Sequence, residues 1–147
     1  MPRQKIILPE TWLYETVVPI RITDLNYGRH VGNDTILGLL QEARVRWLRS
    51  LGYDSELLEG SLGLILVDLA VRFRSELTYG DDLLVRLTVS EWSHTGFELA
   101  YLGLKASDRS EAVRALTGLV FFDYASKRIA AAPPDFRSRV EHSGPPR

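Results

Sequence analysis

The chain has 147 residues, of which 45% are hydrophobic and 25% are charged, proportions typical of one folded globular domain. This composition excludes intrinsic disorder along the whole chain. The net charge of −1 gives no basis for a nucleic-acid partner, and the absence of Cys excludes disulfides, thiolate metal sites and a cysteine nucleophile.

The sequence also shows no pattern for a metal site or a membrane span. The three histidines are far apart along the chain: His30, His94 and His142. They lack the spacing of zinc motifs, so no metal site is expected. The most apolar run, residues 62–71, contains Asp68 and is too short to cross a bilayer. Residues 1–8 lack the apolar stretch of a signal peptide, so we expect a cytoplasmic protein without a membrane span.

A predicted edge strand and a polar loop come first. Residues 14–22 are rich in Val, Thr and Ile, which predicts a strand. Pro19 cannot donate a ladder hydrogen bond, so this strand is expected at a sheet edge or at a bulge. Residues 23–32 are polar, and Gly28 and Gly32 allow this loop backbone conformations that other residues resist.

A long helix is predicted directly after the loop. Asn33 is a suitable N-cap, Asp34 in the first turn suits the helix dipole, and Gly52 is a typical terminating residue. Apolar side chains recur at helical spacing and predict one buried face: Ile36, Leu40, Ala43, Trp47 and Leu51. The arginines of this helix are expected on a solvated or interfacial face: Arg44, Arg46 and Arg49.

Four strands and a tail are predicted after the helix. Residues 64–78 alternate, with apolar side chains expected on one side at positions 65, 67, 69, 71 and 73. Three further strands are predicted, over residues 83–89, 97–106 and 112–124. The turns between them are short, which favours antiparallel pairing. Residues 133–147 begin with Pro133-Pro134 and are expected to form a flexible tail.

This order of elements predicts an α+β fold. A single helix with polar and apolar faces has to pack against one face of a curved antiparallel sheet. The other face of the predicted sheet still carries apolar residues, so a partner chain is expected to cover it.

Two segments carry a recognisable motif. Residues 24–33 read Asp-Leu-Asn-Tyr-Gly-Arg-His-Val-Gly-Asn, and the helix that follows contains Gln-Glu-Ala-Arg at 41–44. Residues 71–81 read Val-Arg-Phe-Arg-Ser-Glu-Leu-Thr-Tyr-Gly-Asp. Both segments resemble the hotdog-fold acyl thioesterases, namely the 4-hydroxybenzoyl-CoA thioesterase-like group and the plant acyl-carrier-protein thioesterases.

The resemblance implies one hotdog domain over residues 1–147. In that fold a long central helix is wrapped by a curved antiparallel sheet of five to six strands. Members of the family form homodimers or homotetramers whose active sites lie at the dimer interface.

The resemblance also implies hydrolysis of an acyl-CoA or acyl-carrier-protein thioester to a free acid and a thiol. Coenzyme A would be part of the substrate, and no other cofactor is expected. The usual Asp-x-Asp pair of bacterial members reads Asp24-Leu25-Asn26 here. This departure makes a non-hydrolytic acyl-CoA or acyl-carrier-protein binding protein the alternative. A hotdog dehydratase is a third possibility, but its His and carboxylate arrangement is not evident in the sequence.

Four residues are candidates for catalysis: Asn26, His30, Asn33 and Glu42. The amide of Asn26 can donate to a carbonyl or hold a water, and His30 matches the plant histidine and can act as a base. Backbone N–H groups near Asn33 would stabilise the oxyanion at the helix start. Glu42 is a candidate replacement base, because family members often carry a carboxylate there. Structural roles compete in each case: a turn at Asn26, an N-cap at Asn33, and a pair with Arg46 at Glu42.

Eight further residues are candidates for substrate binding: Asp24, Gly28, Gly32, Asp68, Arg72, Arg74, His94 and Thr95. The first three belong to the loop motif, and Asp68 could contact the site across the dimer. The remaining four are cationic or hydroxyl groups expected near the mouth of the tunnel, because coenzyme A carries phosphates. The turn at 93–96 is similar to a family segment near the pantetheine.

Overall fold

The computed structural model describes residues 5–144. Residues 1–4, at the start of the segment inspected for a signal peptide, and 145–147, at the end of the expected tail, lie outside the described residues. The elements in chain order are β1 (Tyr14–Pro19), a 3₁₀ helix (Ile22–Asp24), α1 (Asn33–Ser50), β2 (Leu57–Glu59), β3 (Leu62–Phe73), β4 (Asp82–Trp92), β5 (Gly96–Lys105), β6 (Glu111–Asp123), β7 (Arg128–Ile129) and α2 (Phe136–Ser143). Neither helix of this described part is long and apolar enough to cross a membrane.

The strands form one antiparallel sheet in the order β1-β4-β5-β6-β3-β2, with the short β7 paired to β6. The predicted α+β arrangement is therefore confirmed, and β7 adds a seventh strand to the five or six expected. β1 lies at a sheet edge, as Pro19 predicts, and Pro19 stands opposite Asp82 of β4. An edge position leaves one side of the strand without ladder bonds, which is where proline is tolerated.

The helix α1 packs across the inner face of the sheet. Its predicted apolar face is confirmed, because Ile36, Leu40, Ala43 and Trp47 are all buried in the main core. Opposite them lie alternate residues of the central strands: Val85, Leu87, Leu99, Tyr101, Val113, Ala115, Leu119 and Phe121. Burying one such side chain contributes about 1.5–3 kcal/mol, so this contact provides much of the driving force for folding.

The helix begins one residue earlier than its predicted capping pattern. Gly32, and not Asn33, is the N-cap, and its carbonyl accepts bonds from the N–H of Thr35 (3.1 Å) and Ile36 (3.2 Å). No side-chain bond caps the helix. The reason is a long-range contact, since Val31 donates to the carbonyl of Leu77 at 2.8 Å and keeps the chain extended up to Gly32.

The predicted alternation along β3 is wrong before Leu69 because of a β-bulge. Leu66 pairs with Leu119 of β6 and Asp68 pairs with Gly118, so Val67 has no partner in the ladder. The unpaired residue shifts the alternation, and Ile65 lies on the opposite face from the one predicted. The inner-face residues of β3 are Leu64, Leu66, Leu69, Val71 and Phe73. The strand also ends at Phe73 and does not continue to residue 78.

Part of the outer sheet face is covered by the chain itself. Leu84, Ala100 and Leu104 are buried on that face, apart from the main core. Ile6 is also buried, and its carbonyl accepts a 2.8 Å bond from Nη1 of Arg114, an outer-face residue of β6. The N-terminal segment therefore provides cover that we expected from a partner chain.

The expected flexible tail at 133–147 contains a packed helix over the residues described. The ring of Phe136 in α2 is fully buried and lies 5.3 Å from Phe97 and 5.1 Å from Phe121. The guanidinium groups of Arg137 and Arg139 stack on aromatic rings at its rim. The aromatic partners of Phe136 come from distant parts of the chain, so the composition of the tail gave no sign of this packing.

Removing the ring of Phe136 tests how firmly α2 is held. Phe136→Ala is expected to lower the free energy of unfolding by about 3–5 kcal/mol, because it leaves a cavity in the aromatic core. Urea unfolding followed by tryptophan fluorescence measures the change. Ile129→Ala, which truncates an exposed side chain of β7, is the control and is expected to change stability by less than about 0.5 kcal/mol. Equal stabilities for the two variants would show that α2 is not part of the folded core.

Candidate functional site at the start of the long helix

The loop between β1 and α1 folds back on itself. The N–H of Asn26 donates to the carbonyl of His30 at 2.9 Å, and the N–H of Arg29 donates to the carbonyl of Asn26 at 3.0 Å. Arg29 takes a left-handed conformation with φ 65°, which closes this turn. The carbonyl of Arg29 in turn accepts a 3.1 Å bond from the hydroxyl of Thr78. The loop is thus fixed against the segment that follows β3.

Asn26 and His30 come together over Gly28. The N–H of Gly28 donates to Oδ1 of Asn26 at 2.9 Å. A Cβ atom on Gly28 would lie 3.1 Å from Nε2 of His30 and 3.3 Å from Oδ1 of Asn26, so glycine leaves room between them. The Cβ of Asn26 also lies 3.7 Å from the position that a Cβ on Gly32 would occupy. The predicted set of loop residues is therefore adjacent in space.

The first turn of α1 offers unpaired backbone donors to this loop. The N–H groups of Asn33 and Asp34 have no acceptor among residues 5–144, as is usual at a helix start. The positive end of the helix dipole lies at the same point. The carboxylate of Asp34 stands beside Gly32, with Oδ1 2.7 Å from the place of a Cβ there. These donors can stabilise negative charge that develops on a carbonyl oxygen.

His30 and Asn33 line one groove of about 270 Å³, which we call the loop groove. Its other lining residues come mainly from the segment after β3: Val31, Ile36, Phe73, Arg74, Ser75, Glu76, Leu77 and Ala112. Nε2 of His30 lies 3.8 Å from Oε1 of Glu76, an ion-pair distance. Sequence reasoning did not select Glu76, although it lies in the second family-like segment, because tertiary contacts such as the Val31–Leu77 and Thr78–Arg29 bonds bring that segment to His30.

Glu42 lies elsewhere within the chain. It lines a different groove, of about 430 Å³, between α1 and β1, together with Asp24 and Arg46. Oε2 of Glu42 is 2.9 Å from Nε of Arg46, and Arg46 also donates to the carbonyl of Val17 at 2.8 Å. The structure therefore places Glu42 in the helical ion pair that competes with its predicted catalytic role.

The carboxylate of Asp24 stabilises the backbone at the beginning of the loop. Its carboxylate is buried and accepts a 2.7 Å bond from the backbone N–H of Arg21 and a 3.3 Å bond from Nη2 of the same residue. These bonds close the 3₁₀ helix before the site, so Asp24 holds the local backbone.

The other predicted binding residues are spread over the sheet. Arg74 lines the loop groove, but its Nε is paired with Oε2 of Glu111 at 3.0 Å. Asp68 and Arg72 lie on the outer face of β3, with Asp68 packed against Gly118. The residues that the structure gathers at the loop are Asn26, Gly28, His30, Gly32, Asn33 and Arg74.

His94 and Thr95 lie at the far end of the sheet within one chain. The 93–96 turn precedes Gly96, which pairs with Val120 near the end of β6, whereas the loop groove contacts Ala112 at its beginning. The structure thus separates this turn from the loop groove of the same chain.

A buried polar network on α1 is a feature that sequence reasoning missed. Arg44 was expected on a solvated or interfacial face, yet its side chain is 5% exposed. Its Nη1 donates to the hydroxyl of Tyr101 at 3.0 Å, and its Nε donates to Glu56 at 3.3 Å. The Tyr101 hydroxyl also bonds Thr117 at 2.7 Å. Burial raises the pKa of Tyr101, so this hydroxyl stays protonated at neutral pH.

Arg44, Glu56 and Thr117 of this network line a third groove, of about 420 Å³, between α1 and β3. Leucines dominate its walls, so we call it the leucine groove. Its lining residues are Leu37, Gly38, Leu40, Gln41, Arg44, Glu56, Leu64, Ile65, Leu66, Leu69 and Thr117.

A comparison with models of protein families identifies the family of this chain. The model of the thioesterase-like superfamily matches residues 20–140, which span both grooves and nearly the whole sheet. The chain belongs to the thioesterase-like superfamily. The resemblance found in the loop and helix motif is thereby confirmed. A search of curated protein sequences finds no significant match.

Solved structures confirm the hotdog fold of this thioesterase-like chain. A 1,4-dihydroxy-2-naphthoyl-CoA thioesterase from Synechocystis superposes with a TM-score of 0.76 at 23% identity, covering 86% of this chain and 94% of the other. A thioesterase from Thermus thermophilus, complexed with coenzyme A and Zn, gives a TM-score of 0.78 at 22% identity, covering 92% and 96%. A Staphylococcus aureus protein in complex with CoA gives 0.80 at 16% identity, covering 95% and 87%.

The described part of this superfamily member contains no metal-ligand cluster. Between residues 5 and 144, no group of three or more His, Cys, Asp or Glu side chains is arranged to hold a metal ion. Within the loop groove His30 lies at an ion-pair distance from Glu76, and Arg74 is paired with Glu111 outside the groove.

The ion pairs of Glu111 with Arg74 and Arg114 make the free energy of unfolding depend on pH. Hydrogen bonding from Arg114 lowers the pKa of Glu111 in the folded protein, with a smaller contribution from Arg74. The stabilisation that ionised Glu111 contributes is complete above the ordinary Glu pKa of about 4.3. It is lost as the pH falls through the lower pKa that Glu111 has in the folded protein. Glu111→Gln is therefore expected to lower the free energy of unfolding at pH 7 by about 1 kcal/mol.

Urea unfolding at several pH values measures this difference. The wild type and Glu111→Gln are expected to converge in stability at the acid end of the series. Glu141→Gln, on the surface of α2, serves as the control. A difference for Glu111→Gln that is constant across the whole pH range would contradict the ion-pair account.

Proposed function

We propose that this protein hydrolyses acyl-CoA thioesters to a free acid and coenzyme A. The observation that carries the proposal is the junction of the loop and α1. The amide of Asn26 and the imidazole of His30 lie on either side of Gly28 there, and His30 lines the loop groove together with Asn33, whose N–H is unpaired. Family membership supports thioester chemistry, and the CoA complexes of two similar structures support CoA over an acyl-carrier protein as the thiol. We propose that the protein acts in the cytoplasm, as expected from the sequence. Assembly into a homotetramer is a prediction from the family resemblance.

The thioester carbonyl is placed over the start of α1 in this proposal. The N–H groups of Asn33 and Asp34 donate to the carbonyl oxygen as it gains negative charge, and the helix dipole favours that charge. The Oδ1 atom of Asn26 is engaged by Gly28, so its Nδ2 is free to donate to the same oxygen or to the attacking water. The position that carries a carboxylate in bacterial members thus orients the substrate here.

His30 is assigned as the proton acceptor. The Glu76 carboxylate near Nε2 favours the tautomer with a proton on that atom, which leaves Nδ1 to accept the proton of water. Water oxygen bonds to the carbonyl carbon, the tetrahedral intermediate collapses, and the C–S bond breaks. The departing thiolate takes the proton back from His30. Glu76 stabilises the imidazolium, and Glu42 has no part because Arg46 holds it in another groove.

Substitutions of the proton-transfer pair test this mechanism. His30→Ala is expected to lower kcat for acyl-CoA hydrolysis by about 10²–10⁴-fold, the usual effect of removing a general base. Glu76→Gln keeps the shape of the side chain and is expected to lower kcat about tenfold, because the imidazolium loses its counter-charge. Release of free thiol from a panel of short, long and aromatic acyl-CoAs measures the rate.

The controls are His142→Ala and Glu141→Gln, exposed residues of α2 that lie outside the loop groove. Both controls are expected to keep wild-type rates. A wild-type kcat for His30→Ala would overturn the assignment of the base.

A non-hydrolytic acyl-CoA binding protein is the second candidate. Asn26 favours it, because an amide at this position cannot act as a nucleophile or a general base in the ordinary sense. Measurable binding of acyl-CoAs by the wild type without thiol release from any member of the panel would establish this candidate and exclude the hydrolase.

The complete site is proposed to lie between two copies of the chain. β3 pairs with β6 on one side, while β2 covers only its first two residues, so the rest of its other edge has no strand partner among residues 5–144. The exposed apolar side chains along it are Leu66, Val67, Leu69 and Phe73. An apolar edge of this length is a template for pairing with another strand, and a twofold axis pairs it with itself.

Such pairing joins the two grooves. Strands related by a twofold axis run antiparallel, so the Phe73 end of one β3 lies beside the Leu64 end of the other. The loop groove is at the Phe73 end and the leucine groove at the Leu64 end. The loop groove of one protomer would therefore open towards the leucine groove of its partner.

A charge on the β3 edge tests the dimer. Val67→Glu is expected to yield monomers in sedimentation equilibrium at micromolar concentration and to lower kcat, because a desolvated carboxylate opposes edge pairing. Val17→Glu is the matched control on the opposite edge strand, since Val17 is 43% exposed and Val67 is 53% exposed. The control is expected to remain dimeric. Dissociation by Val17→Glu but not by Val67→Glu would place the interface on β1.

A further inference from the structure

The leucine groove contains polar groups that the hydrolytic mechanism does not use. Its walls are mostly aliphatic side chains, and its polar lining residues are Gln41, Arg44, Glu56 and Thr117. Nε2 of Gln41 donates to Oε1 of Glu56 at 2.8 Å, and Nε of Arg44 donates to Oε2 at 3.3 Å. Placing a charged pair in the wall of an apolar groove costs desolvation energy, which a purely structural contact between α1 and the segment before β2 does not require.

Arg44 keeps donors available to the groove. Its Nε and Nη1 have acceptors, but Nη2 has none among residues 5–144. The fully buried side-chain atoms without a partner in this part of the chain are Trp47 Nε1 and Tyr53 Oη. Nη2 of Arg44 does not belong to that group, so it is not fully enclosed, and Arg44 is one of the residues that line the groove.

Glu56 keeps acceptor capacity beside those donors. Each carboxylate oxygen can accept two hydrogen bonds, and each oxygen of Glu56 accepts one, from Gln41 and Arg44. The groove therefore has a hydrogen-bond donor, Arg44, next to an acceptor, Glu56. These two residues form an ion pair, so together they carry no net charge.

This pair discriminates between three kinds of chain end. A hydroxyl group can accept from Nη2 of Arg44 and donate to Glu56 at the same time. A carboxylate meets the negative charge of Glu56, and a methyl group leaves the donors of Arg44 without a partner.

We propose that the leucine groove binds an aliphatic acyl chain that carries a hydroxyl group, and that Arg44 and Glu56 recognise this hydroxyl. Tyr101 and Thr117 act as positioning residues. The Tyr101 hydroxyl accepts from the guanidinium of Arg44 and also bonds Thr117. This proposal rests on the proposed function, because it assigns the groove to the acyl group of the same substrate.

Binding of hydrolysis-resistant analogues tests the proposal apart from catalysis. The probes are acyl-CoA analogues in which a methylene replaces the sulfur, prepared as a series of chain lengths with an ω-hydroxyl, ω-carboxylate or unsubstituted end. Titration calorimetry with the full-length wild type is expected to show about tenfold tighter binding of the ω-hydroxy analogue than of the unsubstituted one at the length that reaches Arg44.

Glu56→Gln is the decisive variant, because it removes the charge and keeps the shape. It is expected to tighten binding of the ω-carboxylate analogue about tenfold by removing the repulsion. Glu59→Gln, on the neighbouring surface of β2, is the matched control and is expected to leave all three affinities unchanged.

The outcomes separate the two proposals. Equal affinity for ω-hydroxy and unsubstituted analogues at every length overturns the assignment of the groove, and so does the absence of binding. A preference of the wild type for the ω-carboxylate shows that Arg44 acts alone and overturns the role of Glu56. A hydroxyl preference in binding without thiol release from the matching thioester supports the groove assignment and overturns the hydrolase.

Discussion

The packing of α1 on the inner face of the sheet is the constraint on which the rest of the structure depends. Trp47, Ala43 and Leu48 have no exposed surface, so the helix can neither rotate nor slide without opening the core. Its position fixes the first turn, with its unpaired N–H groups, against the loop that holds His30. The same position brings Arg44 over Tyr101 and opens a groove along β3. Both candidate sites follow from one contact surface.

The sequence predicted the fold where local periodicity decides it. The helix follows from a spacing of 3.6 residues, five strands lie where the residue pattern predicts them, and the tight turns imply antiparallel pairing. The predictions from the sequence are wrong where a contact with a residue distant in the chain determines the local structure. The bond from Val31 to Leu77 moves the N-cap to Gly32, and the unpaired Val67 breaks an alternation that shows no irregularity in the sequence. The helix at Phe136 depends on aromatic rings from other elements.

Most of the candidate site that the sequence predicted lies in the loop and at the start of α1. Asn26 and His30 are neighbours in sequence and lie together, because a tight turn keeps their side chains close. Glu76 comes from a segment far along the chain, and its contact with His30 needs tertiary structure. The burial of Arg44 was hidden for the same reason, since its partners Tyr101 and Glu56 belong to other strands or loops. A helical face can be read from spacing, but the partners of a charged residue on it cannot.

The central claim is that a thioester carbonyl binds over the start of α1. A crystal structure with an acyl-CoA analogue in which a methylene replaces the sulfur tests it directly, because this ketone keeps the carbonyl and cannot be hydrolysed. The account predicts the ketone oxygen within hydrogen-bond distance of the N–H groups of Asn33 and Asp34, with His30 facing the carbonyl carbon. A ketone bound beside Glu42, or with its oxygen directed away from the helix, would contradict it.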